Sequence, residues 1–136
     1  FWRLIDELAR NGVSVLVTTH YLDEAEHCHR IAIIHAGRLA ALGTVQELKG
    51  VFPDRPIVEI RAENPVAAMR ALDAMPDVEK TSIFGASVHA VLRSPGVSAS
   101  EVAERLAGSG VAVTSCTLVE PSLEDVFLDV AERSAA

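Results

Sequence analysis

The chain has 136 residues, enough for one ordinary domain or two small ones, and with 49% hydrophobic and 23% charged residues it can fill a globular core. Its net charge of −7, with no arginine- or lysine-rich patch, argues against nucleic-acid binding because phosphates would be repelled. The longest apolar runs fall far short of the ~20 residues of a membrane helix, and Cys28 and Cys116 are widely separated without metal-ligand spacing, which suits a reducing compartment.

The opening FWRLIDELARNG places Phe1, Leu4, Ile5, Leu8 and Ala9 on one helical stripe and stops at Asn11-Gly12. No Ser, Thr, Asp or Asn precedes Phe1 to cap the free amides, and there is no initiator Met, so the expectation is a helix cut near its beginning. Val13 to Thr18 is a near-continuous β-branched run, the pattern of a strand buried on both faces in a parallel sheet. From Leu22 to about Cys28 a short helix is expected, with Asp23, Glu24 and Glu26 favoured near its positive N-terminal end. Arg30 to Leu42 reads as a hairpin about Ala36-Gly37, and Thr44-Val-Gln-Glu47 as a capping box opening a helix to about Lys49.

After Gly50 the composition shifts. The stretch VFPDRP marks a domain boundary, dividing the chain into residues 1–50 and 51–136. Beyond it come a strand over 57–63, a helix from Asn64-Pro65 to about Met75, and two strands, 78–84 and 87–93, about Gly85-Ala86. A helix capped by Ser98 runs to about Gly108, a strand covers 111–119, and a last helix starts at Pro121-Ser122 with Leu123, Val126, Phe127 and Val130 on one face. Strand–helix–strand occurs twice, predicting a ferredoxin-like βαββαβ sandwich with an extra C-terminal helix. The fold class is thus α/β (α+β). Residues 1–50 supply too few strands for a sheet of their own, so they are expected to be the end of a larger α/β domain.

His20 stands two residues past the predicted strand end, where ligands of open α/β sheets bind. An imidazole there can donate to an anionic group; a histidine that merely satisfies a local carbonyl is the other reading. The series VSVLVTTHYLDEAEHCHRIAIIHAGRLAALGTVQELK, residues 13–49, resembles the ATP-binding subunits of ABC transporters, especially the drug- and polymer-exporting subclass. The resemblance runs through the T-H, the D-E-A-E, the R-I, the G-R and the G-T-x-x-E-L, with His29 where that family commonly has Asp and Val45 in place of its usual Pro. The closing P-S-L-E-D-V-F-L is similar to the C-terminal extension of exporters of this subclass.

The resemblance implies that the P-loop ATPase domain ends within residues 1–50 and that His20 is its switch histidine, reaching the γ-phosphate of ATP between two ATP-binding subunits. It also implies Mg2+ as cofactor in the whole protein, a membrane permease and a second ATP-binding subunit as partners, and a cytoplasmic place at the inner face of the membrane. No GxxxxGK[ST] phosphate loop, LSGGQ-type signature or catalytic D-E strand occurs in these residues, so ATP binding or hydrolysis by them alone is not expected. A regulatory, dimerising or small-molecule-binding module without ATPase activity is the alternative.

Other candidates are weaker. His27, Cys28 and His29 are consecutive, ~100° apart on a helix, so one ion cannot easily take all three and no metal site is expected. Residues 51–136 show no His–carboxylate pair, no phosphate loop and no thiol cluster, and Cys116 reads as a buried strand thiol. The apolar faces of helix 1–11 and strand 13–18 are expected to be buried between chains of a dimer.

Overall fold

The computed structural model describes residues 1–135. Helix α1 (Trp2–Arg10) and the short α2 (Leu22–Ala25) precede a hairpin of β1 (Ile31–His35) and β2 (Arg38–Gly43), followed by α3 (Val45–Lys49). Then come β3 (Ile57–Ala62), α4 (Pro65–Asp73), β4 (Val78–Phe84), β5 (Ser87–Leu92), α5 (Ala99–Gly108), β6 (Val113–Val119) and α6 (Leu123–Ala135). No helix among the described residues is long and apolar enough to cross a membrane. The class is mixed α and β, as the patterning implies.

Local chemistry sets the element starts. Thr44, Asn64 and Ser98 each accept a hydrogen bond at 3.1 Å from the amide three residues on, capping α3, α4 and α5 as the sequence leads one to expect. Pro65 occupies the first turn of α4, where no amide donor is required. The β1–β2 loop is Ala36-Gly37, with φ of 51° and 75°, the left-handed pair that a two-residue hairpin needs.

Strands β3 to β6 form one antiparallel sheet in the order β4-β5-β3-β6, which interleaves the two strand–helix–strand units. Alternation divides its residues between two faces. Val58, Ile60, Val88, Ala90 and Leu92 pack with Ala68 and Leu72 of α4 and Val102 and Leu106 of α5. Ile57 and Val91 point the other way, into a second cluster with Val126 and Val130 of α6. That second cluster also holds Ile33 of β1, Leu48 of α3 and Phe52, so α6 is packed against both the hairpin region and the sheet.

Two expectations fail at the N-terminal end. Val13 to Thr18 is not a strand: among the described residues it pairs with no other segment. A β-branched run favours extended backbone, but a strand exists only with a ladder partner. Leu16 is accordingly 95% exposed, and Phe1, a side chain suited to burial, is 83% exposed. Helix α2 ends at Ala25 rather than near Cys28, its last carbonyls taken up in tight turns through the amides of His27 and Cys28.

Candidate functional site

His20 sits in the turn between the extended segment and α2. The Thr19 hydroxyl donates to Glu24 Oε2 at 2.8 Å and accepts from the Tyr21 amide at 3.0 Å, fixing the entry to a helix whose own N-cap residue, Tyr21, offers no side-chain cap. The exposed His20 ring lies 4.2 Å from the Tyr21 ring at a tilt of 36°. No hydrogen bond from the described residues engages its nitrogens, which leaves a donor aimed at solvent on a braced turn. Such a group suits a phosphate oxygen, but one donor is not a cradle.

The other N-terminal histidines disperse. His27 stacks on Trp2 at 4.8 Å, fastening the turn after α2 to α1; His29 lies beside Asp6, Ala9 and Arg10; His35 meets Phe127 edge-on at 6.4 Å. Among the described residues, no group of three or more His, Cys, Asp and Glu is placed to hold a metal ion.

The constellation that sequence reasoning missed lies between the sheet and α6. His89, 8% exposed on β5, has Nδ1 at 2.9 and 3.0 Å from the two carboxylate oxygens of Asp125 and Nε2 at 3.0 Å from Glu59 Oε2. The reading that residues 51–136 contain no His–carboxylate pair is therefore corrected. The three residues are 30 and 36 positions apart in sequence, and antiparallel register sets Glu59 directly opposite His89. Asp125 is held from behind: Ser122 donates to its Oδ2 from the amide at 2.9 Å and from the hydroxyl at 2.8 Å. The Asp125 amide returns a bond to Ser122 Oγ at 3.2 Å, a capping box with aspartate in the acidic place. Phe84 covers the imidazole edge-on at 4.6 Å.

One turn on, Asp129 is 1% exposed and gathers three cations. Arg55 donates to both its oxygens at 3.3 and 3.5 Å, Arg133 reaches it at 3.1 Å, and Lys80 bonds it closely. Arg55 also binds Glu79 and the Val51 carbonyl, both at 2.7 Å, and lies over the Phe52 ring. The S-L-E-D-V-F-L signature thus has a physical content: Leu123 and Val126 are buried, while Asp125, and Asp129 one turn beyond, fix α6 to the sheet.

The electrostatics follow from these partners. Burial opposes a charge on His89, but the bonds that the charged ring donates to Asp125 and Glu59 outweigh it, and the imidazole titrates above its ordinary 6.5. Burial would raise the Asp125 carboxyl, yet His89 and Ser122 hold it below 3.8; Lys80 and Arg55 do the same for Asp129. Cys116 is half-buried, donates to the Ala99 carbonyl at 3.2 Å, and has its thiol pushed up from 9.0 by burial, so it is not a reactive thiolate. A sequence signal for the histidine cluster existed: period-two alternation puts Glu59 and His89 opposite the apolar Val58, Ile60, Val88 and Ala90, on the face left for α6.

The family model for the C-terminal domain of DrrA1-3-like ATP-binding proteins matches residues 43–131. A daunorubicin resistance ATP-binding protein, DrrA2, from Streptomyces coeruleorubidus is 37% identical over 134 residues, covering 93% of this chain and 41% of that protein. The Nod factor export ATP-binding protein I of Burkholderia pseudomallei is 32% identical over 135 residues, 97% of this chain and 41% of its own length. A probable multidrug ABC transporter ATP-binding protein of Escherichia coli, YbhF, is 49% identical over 49 residues, 36% of this chain and 8% of that protein. The chain therefore spans about two fifths of the length of the first two of these relatives.

Proposed function

Since this chain belongs to the family of DrrA1-3-like ATP-binding protein C-terminal domains, with ABC transporter ATP-binding proteins among its relatives, we propose that it is the C-terminal part of an ABC exporter's ATP-binding subunit. The observation that carries this reading is the match across 43–131 together with the T-H turn and the hairpin that precede it. Residues 1–50 then close the nucleotide-binding domain, and residues 51–136 form an accessory sandwich fastened by α6. The whole subunit would work in pairs, at the inner face of the membrane, on a separate permease. The permease carries the cargo; this subunit supplies the work of ATP hydrolysis.

In this reading His20 contacts the terminal phosphoryl group of a nucleotide held by other parts of the subunit. Bound ATP with Mg2+ supplies the phosphoryl group to be transferred and the cation that offsets its charge. The contribution of this chain is one preorganised donor. The Thr19–Glu24 bond and the Tyr21 ring hold the turn, so the imidazole N–H is presented without first leaving a protein acceptor. Stabilising charge that grows on the phosphoryl oxygens is the kind of interaction that accelerates the step rather than tightening ground-state binding.

The test is ATP turnover by the full-length subunit carrying His20→Ala. Loss of one preorganised donor is expected to lower kcat by about 100- to 1000-fold while nucleotide affinity changes little. Turnover within a few-fold of wild type would remove His20 from the site.

A further inference from the structure

Two carboxylates face one buried imidazole, Glu59 from the neighbouring strand β3 and Asp125 from across the β5–α6 boundary, a geometry with a consequence for protonation. A neutral imidazole has one N–H and one lone pair, so it can donate at only one ring nitrogen. Here each nitrogen has a carboxylate oxygen within 3.0 Å. An imidazolium satisfies both contacts; a neutral ring leaves a lone pair facing a carboxylate. We infer that His89 is a proton-operated fastener, holding α6 on the sheet most firmly as an imidazolium and loosening it on deprotonation.

The charged groups around the ring are few. From β3, Glu59 is bonded to His89, and the exposed Arg61 stands 3.6 Å from its other oxygen. From α6 come Asp125, on Nδ1, and one turn further Asp129, already surrounded by Arg55, Lys80 and Arg133. On β4 the residue registered with His89 is Ser82, which is uncharged, and Phe84 covers the ring edge; on β6 Thr117 stands opposite Glu59. Among the described residues the groups facing a proton lost from His89 are thus its two carboxylates, and that loss leaves Asp125 without a counter-charge and Glu59 with only the exposed Arg61.

The direction of the pH effect follows from linkage. His89 titrates higher in the folded chain than the ordinary 6.5, so its stabilisation is complete below that value and lost as pH rises through the raised one. Asp125 titrates below 3.8, so its share is present above that and lost as pH falls through the lowered value. Between the two lies a window in which α6 is fastened. What release would free is defined by the packing: α6 links Ile33, Leu48 and Phe52 to Ile57 and Val91 through Val126 and Val130. A released α6 uncouples the hairpin and α3 from the sandwich. Asp129, whose cations are arginine and lysine, keeps its contacts through this range, so release begins at the N-terminal turn of α6. The device stands on these side chains alone and does not depend on the transport reading.

Hydrogen exchange of α6 amides in the full-length subunit, referred to α5 amides in the same molecule, tests the device from about pH 6 to about pH 9. Opening of the first turns of α6 is expected to increase by up to about tenfold per pH unit above the His89 pKa, with α5 unchanged. His89→Gln should abolish this pH dependence. Glu59→Gln is the sharper variant, because its carboxamide can donate to the Nε2 lone pair; a neutral ring then suffices and α6 should stay fastened at alkaline pH. An α6 profile indifferent to pH in the wild type, or a Glu59→Gln profile equal to wild type, overturns the proposal. So does a nitrogen NMR signature of a neutral His89 ring at the acid end.

Discussion

Residues 1–30 and the sheet of residues 57–119 are both rich in apolar side chains, yet they use them differently. Of the first thirty residues only Ala25 is buried, while every residue of β5 is. The β-branched run Val13–Thr18 is as suited to a strand as the run in β5, but β5 lies between β4 and β3 with helices on both faces. Burial is a property of layers, and a segment acquires it only where a second layer is present.

Two substitutions sharpen this contrast. Ile60 is fully buried at the centre of the sheet, and Ile60→Ala is expected to cost about 2–5 kcal/mol in urea unfolding of the whole subunit. Leu16→Ala, at a side chain 95% exposed here, is expected to stay within about 0.5 kcal/mol when residues 1–136 are unfolded by themselves. If the two losses are comparable in the whole subunit, Leu16 is packed in solution against something outside these residues, which is what a subunit continuing beyond them, or a second copy, would provide.

The second expected effect concerns α6. Asp129→Ala leaves Lys80, Arg55 and Arg133 converging on a vacated carboxylate position. Full burial of such a broken pair costs about 3–5 kcal/mol, but the arginine and lysine side chains keep access to water, so about 1–3 kcal/mol is expected. Because Asp129 titrates below 3.8, its contribution is present above that value and lost as pH falls through the lowered one. Thermal midpoints of wild type and Asp129→Ala should therefore converge in acid and separate toward neutrality. A constant separation at every pH would mean that the loss is one of packing alone.

Much of the order of elements was legible because each is punctuated by residues with local mechanisms. Thr44, Asn64 and Ser98 cap helices, Ala36-Gly37 turns a hairpin, and alternation in 57–63 and 87–93 marks a sheet with distinct faces. Val13–Thr18 was misread because strand propensity says nothing about whether a ladder partner is at hand. The His89 cluster was missed for a related reason. Glu59, His89 and Asp125 are far apart in sequence, and each looks ordinary alone: a polar residue on an alternating strand, or an acid in a first helical turn. Only the register Glu59↔His89 and the docking of α6 make them one group. His20 was singled out by its place after Val13–Thr18 and by the T-H resemblance; no strand forms before it, and what the structure shows there is a turn held locally through Thr19.

The β1–β2 hairpin stands at the border of the two regions, and its turn offers the smallest effect. Ala36 adopts φ of 51°, a left-handed conformation that costs an L-residue with a Cβ about 1–2 kcal/mol. Asparagine tolerates it better, and Asn-Gly is the favoured pair for a two-residue turn of this type. Ala36→Asn is therefore expected to stabilise the hairpin by a few tenths to about 1 kcal/mol. Where that gain is read decides to which region the hairpin belongs. Its inner face contributes Ile33 to the cluster shared with α6 and the sheet, so the gain should appear in the global unfolding midpoint. A gain confined to amide exchange within β1 and β2, with the midpoint unmoved, would show that the hairpin opens before the sandwich and behaves as part of the poorly buried N-terminal stretch.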